Sequence, residues 1–256
     1  AYLAAYDITD INNIQEVDRI QSNPGSLSIP HNAHVDGNFL ITSYYRDGTT
    51  VHDVTYPNNM IQVANYDSYG GSGDGFDGCW GTYPFFPSGI IISSEINSGS
   101  NQSAKLMIYE RGFTQACYLE GRITDANGNS LSGASIVILN TVLPNNSSSN
   151  LLGKYVSGTA DSATYEVVFS KPGYINDTLQ ATLLNGQIII LNATLYIDFN
   201  VPMIGCTDPS ASNYNPNANT SLEYGGELDT TLGSGGFFNG DQHLIFDTYE
   251  NILIKS

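Results

Sequence analysis

The sequence predicts an all-β chain made of several small modules in series. Three observations carry that expectation. Seventeen Tyr and 26 Gly accompany many Asn, Ser and Thr, with few good helix formers in periodic runs. Short β-branched and aromatic stretches alternate with Asp-Gly, Asn-Gly and Pro-Gly pairs, the punctuation of hairpins. A segment near the N-terminus recurs further along, as strand-built repeats do.

The repeat lies within residues 1–112. Asp7-Ile-Thr-Asp-Ile-Asn-Asn-Ile14-Gln-Glu-Val17 aligns without gaps on Asp53-Val-Thr-Tyr-Pro-Asn-Asn-Met60-Ile-Gln-Val63, a displacement of 46 residues (7 to 53), and Ile20 falls on Tyr66. Alone, Ile11, Ile14, Val17 and Ile20 have helical spacing; Pro57 and Asn58-Asn59 in the second copy argue against a helix. Between the copies, Asn38–Tyr45 and Thr50–Val54 read as strands turned at Asp36-Gly37 and Asp47-Gly48. The pattern starts a third time in Gly89–Glu95 and Leu106–Glu110, with Ile108-Tyr109-Glu110 matching Val51-His52-Asp53. Repeats of roughly 40 to 50 residues built from strands are propeller blades. Propellers need about four to eight blades, and this segment supplies about two and a half, so the remainder is expected to lie outside this sequence or on another chain.

His31-Asn-Ala-His34-Val-Asp-Gly37, Tyr44-Tyr45-Arg-Asp-Gly48, Val51-His-Asp-Val54, and Gly78-Cys-Trp-Gly81 with Tyr83-Pro-Phe-Phe-Pro-Ser-Gly89 carry a further likeness. Together they resemble the choice-of-anchor B, LVIVD-repeat β-propellers of secreted and surface-anchored bacterial proteins.

Residues 117–196 read as a complete module. Tyr118–Thr124 is a strand followed by Asn127-Gly128, which suits a type I′ turn. Ala134–Leu139 is an apolar run expected to be covered on both faces. In Thr164–Ser170, Tyr165, Val167 and Phe169 alternate with Glu166 and Ser170, so that strand is half buried. Gln187–Leu195 reads as one final strand, and Thr141–Asn150 as a long, mobile loop. Gly121, Asp125, Gly128, Leu131-Ser-Gly133-Ala134, Gly153-Lys-Tyr155, Thr164-Tyr165 and Lys171-Pro172-Gly173-Tyr174 resemble the carboxypeptidase regulatory-like (transthyretin-like) domain. The resemblance implies a small β-sandwich that serves as a spacer or folding aid.

In the irregular linker at 197–225, Gly205-Cys-Thr-Asp208-Pro…Asn213-Tyr-Asn215-Pro-Asn217-Ala-Asn219 resembles short thrombospondin type 3-like modules. The oxygens of Asp208, Asn213, Asn215, Asn217 and Asn219 suit calcium. The motif's closing acidic pair and cysteine are replaced by Thr220-Ser-Leu-Glu223-Tyr-Gly225, which leaves an ordered Asn/Pro linker as the other reading. Residues 226–256 look like the first strands of a further β-sandwich, cut short at Ile252-Leu-Ile-Lys-Ser256.

Eight Lys and Arg against 25 Asp and Glu give a formal charge of −17. Such a surface repels phosphate backbones and excludes nucleic acid as a partner. No apolar run is long enough for a membrane span. Three cysteines permit one internal disulfide, for which Cys79 with Cys117 is a possible pair. Catalytic signatures such as His-Glu-x-x-His and Gly-x-Ser-x-Gly are missing, so no enzyme is expected.

His31, His34 and His52 invite a metal reading, but i and i+3 positions of a strand point to opposite faces, and a turn-stabilising role fits better. Trp80 and Tyr83 could form a sugar-stacking platform or belong to a core. Asp74 and Asp77, in the Gly70–Gly78 loop, read as solvated turn residues. Ser162, Thr178 and Thr230 follow aspartates in motifs that resemble bacterial O-glycosylation acceptors. The expectation is a non-catalytic, extracellular bacterial surface protein exported by a type IX-like route. Its partners would be other surface proteins, copies of itself or glycans. The alternatives are an accessory region of a secreted hydrolase and a lectin-like propeller.

Overall fold

The computed structural model describes residues 1–98, 103–143 and 145–200, with short pieces beyond them that include 204–205, 220–221, 243–246 and 252–255. All regular elements among these residues are strands. Ala1–Tyr196 form one compact unit and Ile197–Ser256 a second.

The first unit begins with three antiparallel sheets. Sheet 1 is a hairpin of β1 (Leu3–Asp7) and β2 (Gln15–Ile20). Sheet 2 is a meander of β3 (Asn32–Asp36), β4 (Phe39–Ser43), β5 (Thr49–Asp53) and β6 (Ile61–Tyr66). Sheet 3 joins β7 (Gly78–Tyr83), β8 (Ile91–Ser98) and β9 (Ser103–Tyr109).

The 46-residue repeat holds down to individual strand pairs. Leu3↔Ile20, Ala5↔Asp18, Tyr6↔Glu16 and Asp7↔Gln15 in sheet 1 become Thr49↔Tyr66, Val51↔Ala64, His52↔Gln62 and Asp53↔Ile61 in sheet 2. Both hairpins carry a bulge at the same place, between Ala5 and Tyr6 and between Val51 and His52. The turn chemistry repeats too: Asp7 and Asp53 each accept the amide two residues on, from Thr9 and Thr55, at 2.9 Å. Ile11 and Ile14 are therefore exposed turn residues and not a helical stripe. In sheet 3, β9 stands beside β8 as β5 stands beside β4, and among the described residues no strand takes the place of β6. No closed ring of sheets is present among the described residues.

Sheets 2 and 3 share a core. Ile41 and Val51 pack on Ile91, flanked by Phe39, Val63, Ala64, Tyr109 and Phe113. Each such side chain contributes about 2 kcal/mol on burial.

The module that follows is a two-sheet sandwich. One sheet holds β10 (Cys117–Asp125), β13 (Lys154–Thr159), β16 (Ile188–Ile190) and β17 (Ala193–Leu195), the last two parallel to β10. The other runs β12 (Ser147–Ser148), β11 (Ser135–Ile138), β14 (Ala163–Ser170) and β15 (Asp177–Leu183). Ile123, Ile136, Ile138, Val167, Phe169, Leu183 and Leu195 are fully enclosed in it.

The sandwich corrects five expectations. Gln187–Leu195 is two short strands, because the chain crosses Gly121 at Leu191: a Cβ at 121 would sit 1.9 Å from the Leu191 carbonyl oxygen. The Ala134–Leu139 run is covered on one face only, with Ile136 and Ile138 buried and Ser135 and Val137 partly open. At Asn127-Gly128 only Gly128 has positive φ (+83°), giving a three-residue loop and not a type I′ turn. The Asp125 carboxylate shapes it by accepting the Asn127 and Asn129 amides, both at 2.8 Å. The Thr141–Asn150 loop is anchored: Ser147–Ser148 pair with β11, and the Asn145 side chain bridges the Ile138 amide and carbonyl at 3.0 and 3.2 Å. Cys79 and Cys117 are free, buried thiols and not a disulfide. Cys79 sits in sheet 3 beside the Thr49 hydroxyl at 3.3 Å, whereas Cys117 sits in the sandwich beside Ser162 at 3.7 Å.

In the second unit, β18 (Ile204–Gly205) pairs with β19 (Thr220–Ser221), and β20 (His243–Phe246) pairs with β21 (Ile252–Lys255).

Candidate binding surface

An exposed strip of rings runs along the β3 and β7 side of sheets 2 and 3. It starts from backbone geometry. The turn from β4 to β5 closes tightly, with Gly48 at φ +79° where a Cβ would lie 2.1 Å from the Tyr66 carbonyl oxygen. This places the Tyr45 carbonyl to accept the Cys79 amide at 2.9 Å and so ties β7 to sheet 2. Gly78 is required at that crossing, because a Cβ there would meet the Tyr45 oxygen at 2.4 Å.

The rings follow in two runs. Phe76 meets Tyr45 edge-on at 5.3 Å, Tyr45 meets His31 at 5.2 Å, and His31 stacks on Trp80 at 5.9 Å with 23° between the planes. His34 meets Phe85 at 5.7 Å, Phe85 meets Tyr83 at 5.5 Å, and Tyr83 meets Phe86 at 5.1 Å. The His31 Nδ1 lies 2.5 Å from the Trp80 carbonyl oxygen and fixes the stack. Trp80 is 50% exposed and Phe76 66%, so these two rings are not core, whereas Tyr45 between Phe76 and His31 is buried.

The Gly-rich loop that presents Phe76 is held by a hub. Asp77 accepts from the Arg46 guanidinium at 2.5 Å, the Tyr69 hydroxyl at 3.2 Å and the Asn97 amide at 3.0 Å. Arg46 also donates to the Ser72 carbonyl at 2.9 Å. The Arg46 contact holds the Asp77 carboxyl below its ordinary range. Asp77 is thus an anchor and not a solvated turn residue. Composition hid this, since nothing in the loop's own sequence points to Arg46 across the fold.

The histidines do not assemble. His31 and His34 face the rings, while His52 is fully buried in β5, and among the described residues no three His, Cys, Asp or Glu side chains gather to hold a metal. The calcium candidates Asp208, Asn213, Asn215, Asn217 and Asn219 lie outside the described residues, as do Thr230 and Cys206. Ser162 is exposed, but its hydroxyl is engaged with Asn185. Thr178 is exposed on the edge strand β15.

Residues 118–196 match the family model of the carboxypeptidase regulatory-like domain. That segment is a carboxypeptidase regulatory-like domain. Its sandwich is the one described above, and none of the aromatic strip lies on it. No curated protein matches the chain.

Among solved structures, the chain is similar to a cohesin–X-dockerin complex from Acetivibrio cellulolyticus (11% identity over 40% of this chain and 81% of that one, TM-score 0.31). It is similar also to the minor pilin GBS52 of Streptococcus agalactiae (13%, 50% and 66%, TM-score 0.28) and the major pilin BcpA of Bacillus cereus (12%, 43% and 38%, TM-score 0.27). The chain spans less than two thirds of either pilin. Likeness of this degree is local and supports no functional conclusion.

Proposed function

We propose that this is a non-catalytic, extracellular bacterial surface protein that works by contact, with the ring strip around Trp80 as its binding face. The observation that carries the reading is a half-exposed Trp80 stacked on His31, with a second run of exposed rings, Tyr83 and Phe85, further along the same segment. Flat rings with imidazole and hydroxyl groups at their edges suit the apolar faces and hydroxyls of sugars. The lectin-like reading is therefore favoured over contact with protein alone. Sheets 1 to 3 are read as consecutive propeller blades of the LVIVD-repeat kind, which the conserved strand register of the repeat supports.

Trp80 is the single tryptophan of the chain, so its fluorescence reports on this face directly. Titration with soluble xylan, β-glucan, galactomannan and chitin oligosaccharides should shift its emission for at least one of them. In a gel that contains the same ligand, the parent chain should be retarded and Trp80→Ala should not. Unchanged emission across the panel, with no retardation, would remove the glycan reading.

A further inference from the structure

Four strand edges from four different sheets converge on one cleft. It holds about 610 Å³ and lies where sheets 1 and 2 meet the sandwich. It is lined by β2 at Asp18–Ile20, by β6 at Ile61 and Gln62, by β12 at Ser147 and Ser148, and by β13 at Val156–Gly158. Among the described residues each of these strands has a neighbour on one side only: β1, β5, β11 and β10 respectively. A strand in that position presents a row of amides and carbonyls that its own ladder leaves unpaired.

Side chains already cap part of these rows. Asp18 accepts the Met60 amide at 2.6 Å, Asn59 donates to the Ser157 carbonyl at 2.9 Å, and the Ser157 hydroxyl donates to the Asn145 carbonyl at 3.2 Å. Two buried groups in the lining have no such partner among the described residues. They are the Nε2 of Gln62, a side chain only 4% exposed, and the Ser147 hydroxyl. A buried polar group left unpaired costs about 1–3 kcal/mol, so these two call for a polar occupant. The same character continues inward from Gln62. His52 stands opposite it across β5 and β6, Thr42 stands opposite Thr50, and all three are fully buried with unpartnered polar atoms.

The charges on the lining do not ask for an ion. Arg19 is held by Glu16 through two bonds of 2.8 Å, and Asp18 by the Met60 amide. Uncharged amides and hydroxyls remain, beside the apolar side chains of Ile20, Met60 and Ile61. The volume falls within the range of about 300–1,000 Å³ usual for a binding site. A sugar would offer hydroxyls to Gln62 but has no evenly spaced amides and carbonyls to match strand edges. A peptide main chain has both.

We propose that this cleft binds a short extended peptide of a partner protein, held by main-chain hydrogen bonds to the strand edges and by the Gln62 amide at a peptide carbonyl. Strand addition of this kind draws affinity from the backbone and selectivity from alternate side chains. The formal charge of −17 favours a peptide with basic residues flanking the bound part. Trp80, Tyr83 and Phe85 do not line the cleft, so the inference goes beyond the proposed function and either can fail alone.

Selection of random heptapeptides displayed on phage against the 256-residue chain tests it, followed by anisotropy titration of the enriched peptide carrying a fluorescent label. The enriched sequences should place Lys or Arg around a β-branched centre. Binding should be unchanged in Trp80→Ala, about tenfold weaker in Gln62→Leu, and lost in Ser148→Trp, which fills the cleft from an exposed position. Methylating alternate backbone nitrogens of the peptide should abolish binding. Gln62→Leu removes an unpartnered buried donor, so its thermal melt should not fall below the parent's. Asn146→Trp, also at an exposed position, serves as the blocking variant if Ser148→Trp melts early. A selection that enriches no peptide would overturn the proposal. So would binding that survives the blocking variant or backbone methylation, or binding that is lost in Trp80→Ala.

Discussion

The Asp53 carboxylate accepts the backbone amide of Ala116 at 2.7 Å, and both groups are fully buried. The other oxygen of Asp53 accepts the Thr55 amide at 2.9 Å and hydroxyl at 2.6 Å. One side chain of the second repeat therefore ties the sheets to the first residues of the sandwich. Around it, Gln115 donates to Thr55 at 3.1 Å, Asn59 donates to the Ser157 carbonyl at 2.9 Å, and the Tyr56 and Tyr118 rings meet at 4.7 Å. This seam explains why residues 1–196 behave as one compact unit and not as two beads on a linker.

Asp53→Ala should leave the Ala116 amide buried without a partner and lower stability by about 3 kcal/mol. Its repeat counterpart Asp7 makes the same local turn in solvent, so Asp7→Ala should shift the unfolding midpoint far less than Asp53→Ala. Urea midpoints of the two variants check this, and equal losses would refute the seam's role.

His52 is fully buried, with neither ring nitrogen hydrogen-bonded among the described residues, and desolvation pushes its pKa down to about 4 from 6.5. The unfolded chain therefore takes up the proton first. The stability this site contributes is complete above about pH 6.5 and is lost as the pH falls towards 4, by up to about 3 kcal/mol. Urea unfolding between pH 7.5 and 4.5 should show a steeper acid loss for the parent than for His52→Gln. Parallel pH curves would contradict the assignment.

Gly121→Ala should destabilise the sandwich by more than about 3 kcal/mol, since the new Cβ would press on the Leu191 carbonyl and the Tyr155 ring. Gly128→Ala, in open space but at φ +83°, should cost only about 1 kcal/mol. Thermal melts of the pair separate steric exclusion from backbone strain.

Cys79 and Cys117 should resist alkylation in the native chain, because both are buried and burial raises the pKa of both thiols. Both should react in denaturant without any reductant. Peptide mapping of the labelled chain reads this, and a reductant requirement would restore the disulfide.

Much of the architecture was legible in the residues, for identifiable reasons. The 46-residue repeat shows because the turn chemistry at Asp7 and Asp53, and the run of matching residues that follows it to Val17 and Val63, are local. The half-buried strand at Tyr165, Val167 and Phe169 shows for the same reason. The Asn127-Gly128 turn was misread because the Asp125 carboxylate, by holding the Asn127 and Asn129 amides, selects a longer loop. Of the proposed binding face, Trp80 and Tyr83 were visible as aromatics, but Phe76 was hidden in a Gly-rich loop that Asp77 organises with Arg46, Tyr69 and Asn97.

By itself the sequence determined an all-β chain, its repeat and the presence of a carboxypeptidase regulatory-like domain, because hairpin turns and side-chain alternation act over a few residues. Tertiary structure decided which faces are covered and which are left open, that the two cysteines stay apart, and that Trp80 stands in solvent. Those outcomes depend on contacts between residues tens of positions apart, such as Tyr45 with Cys79 and Asp53 with Ala116, which no local pattern encodes.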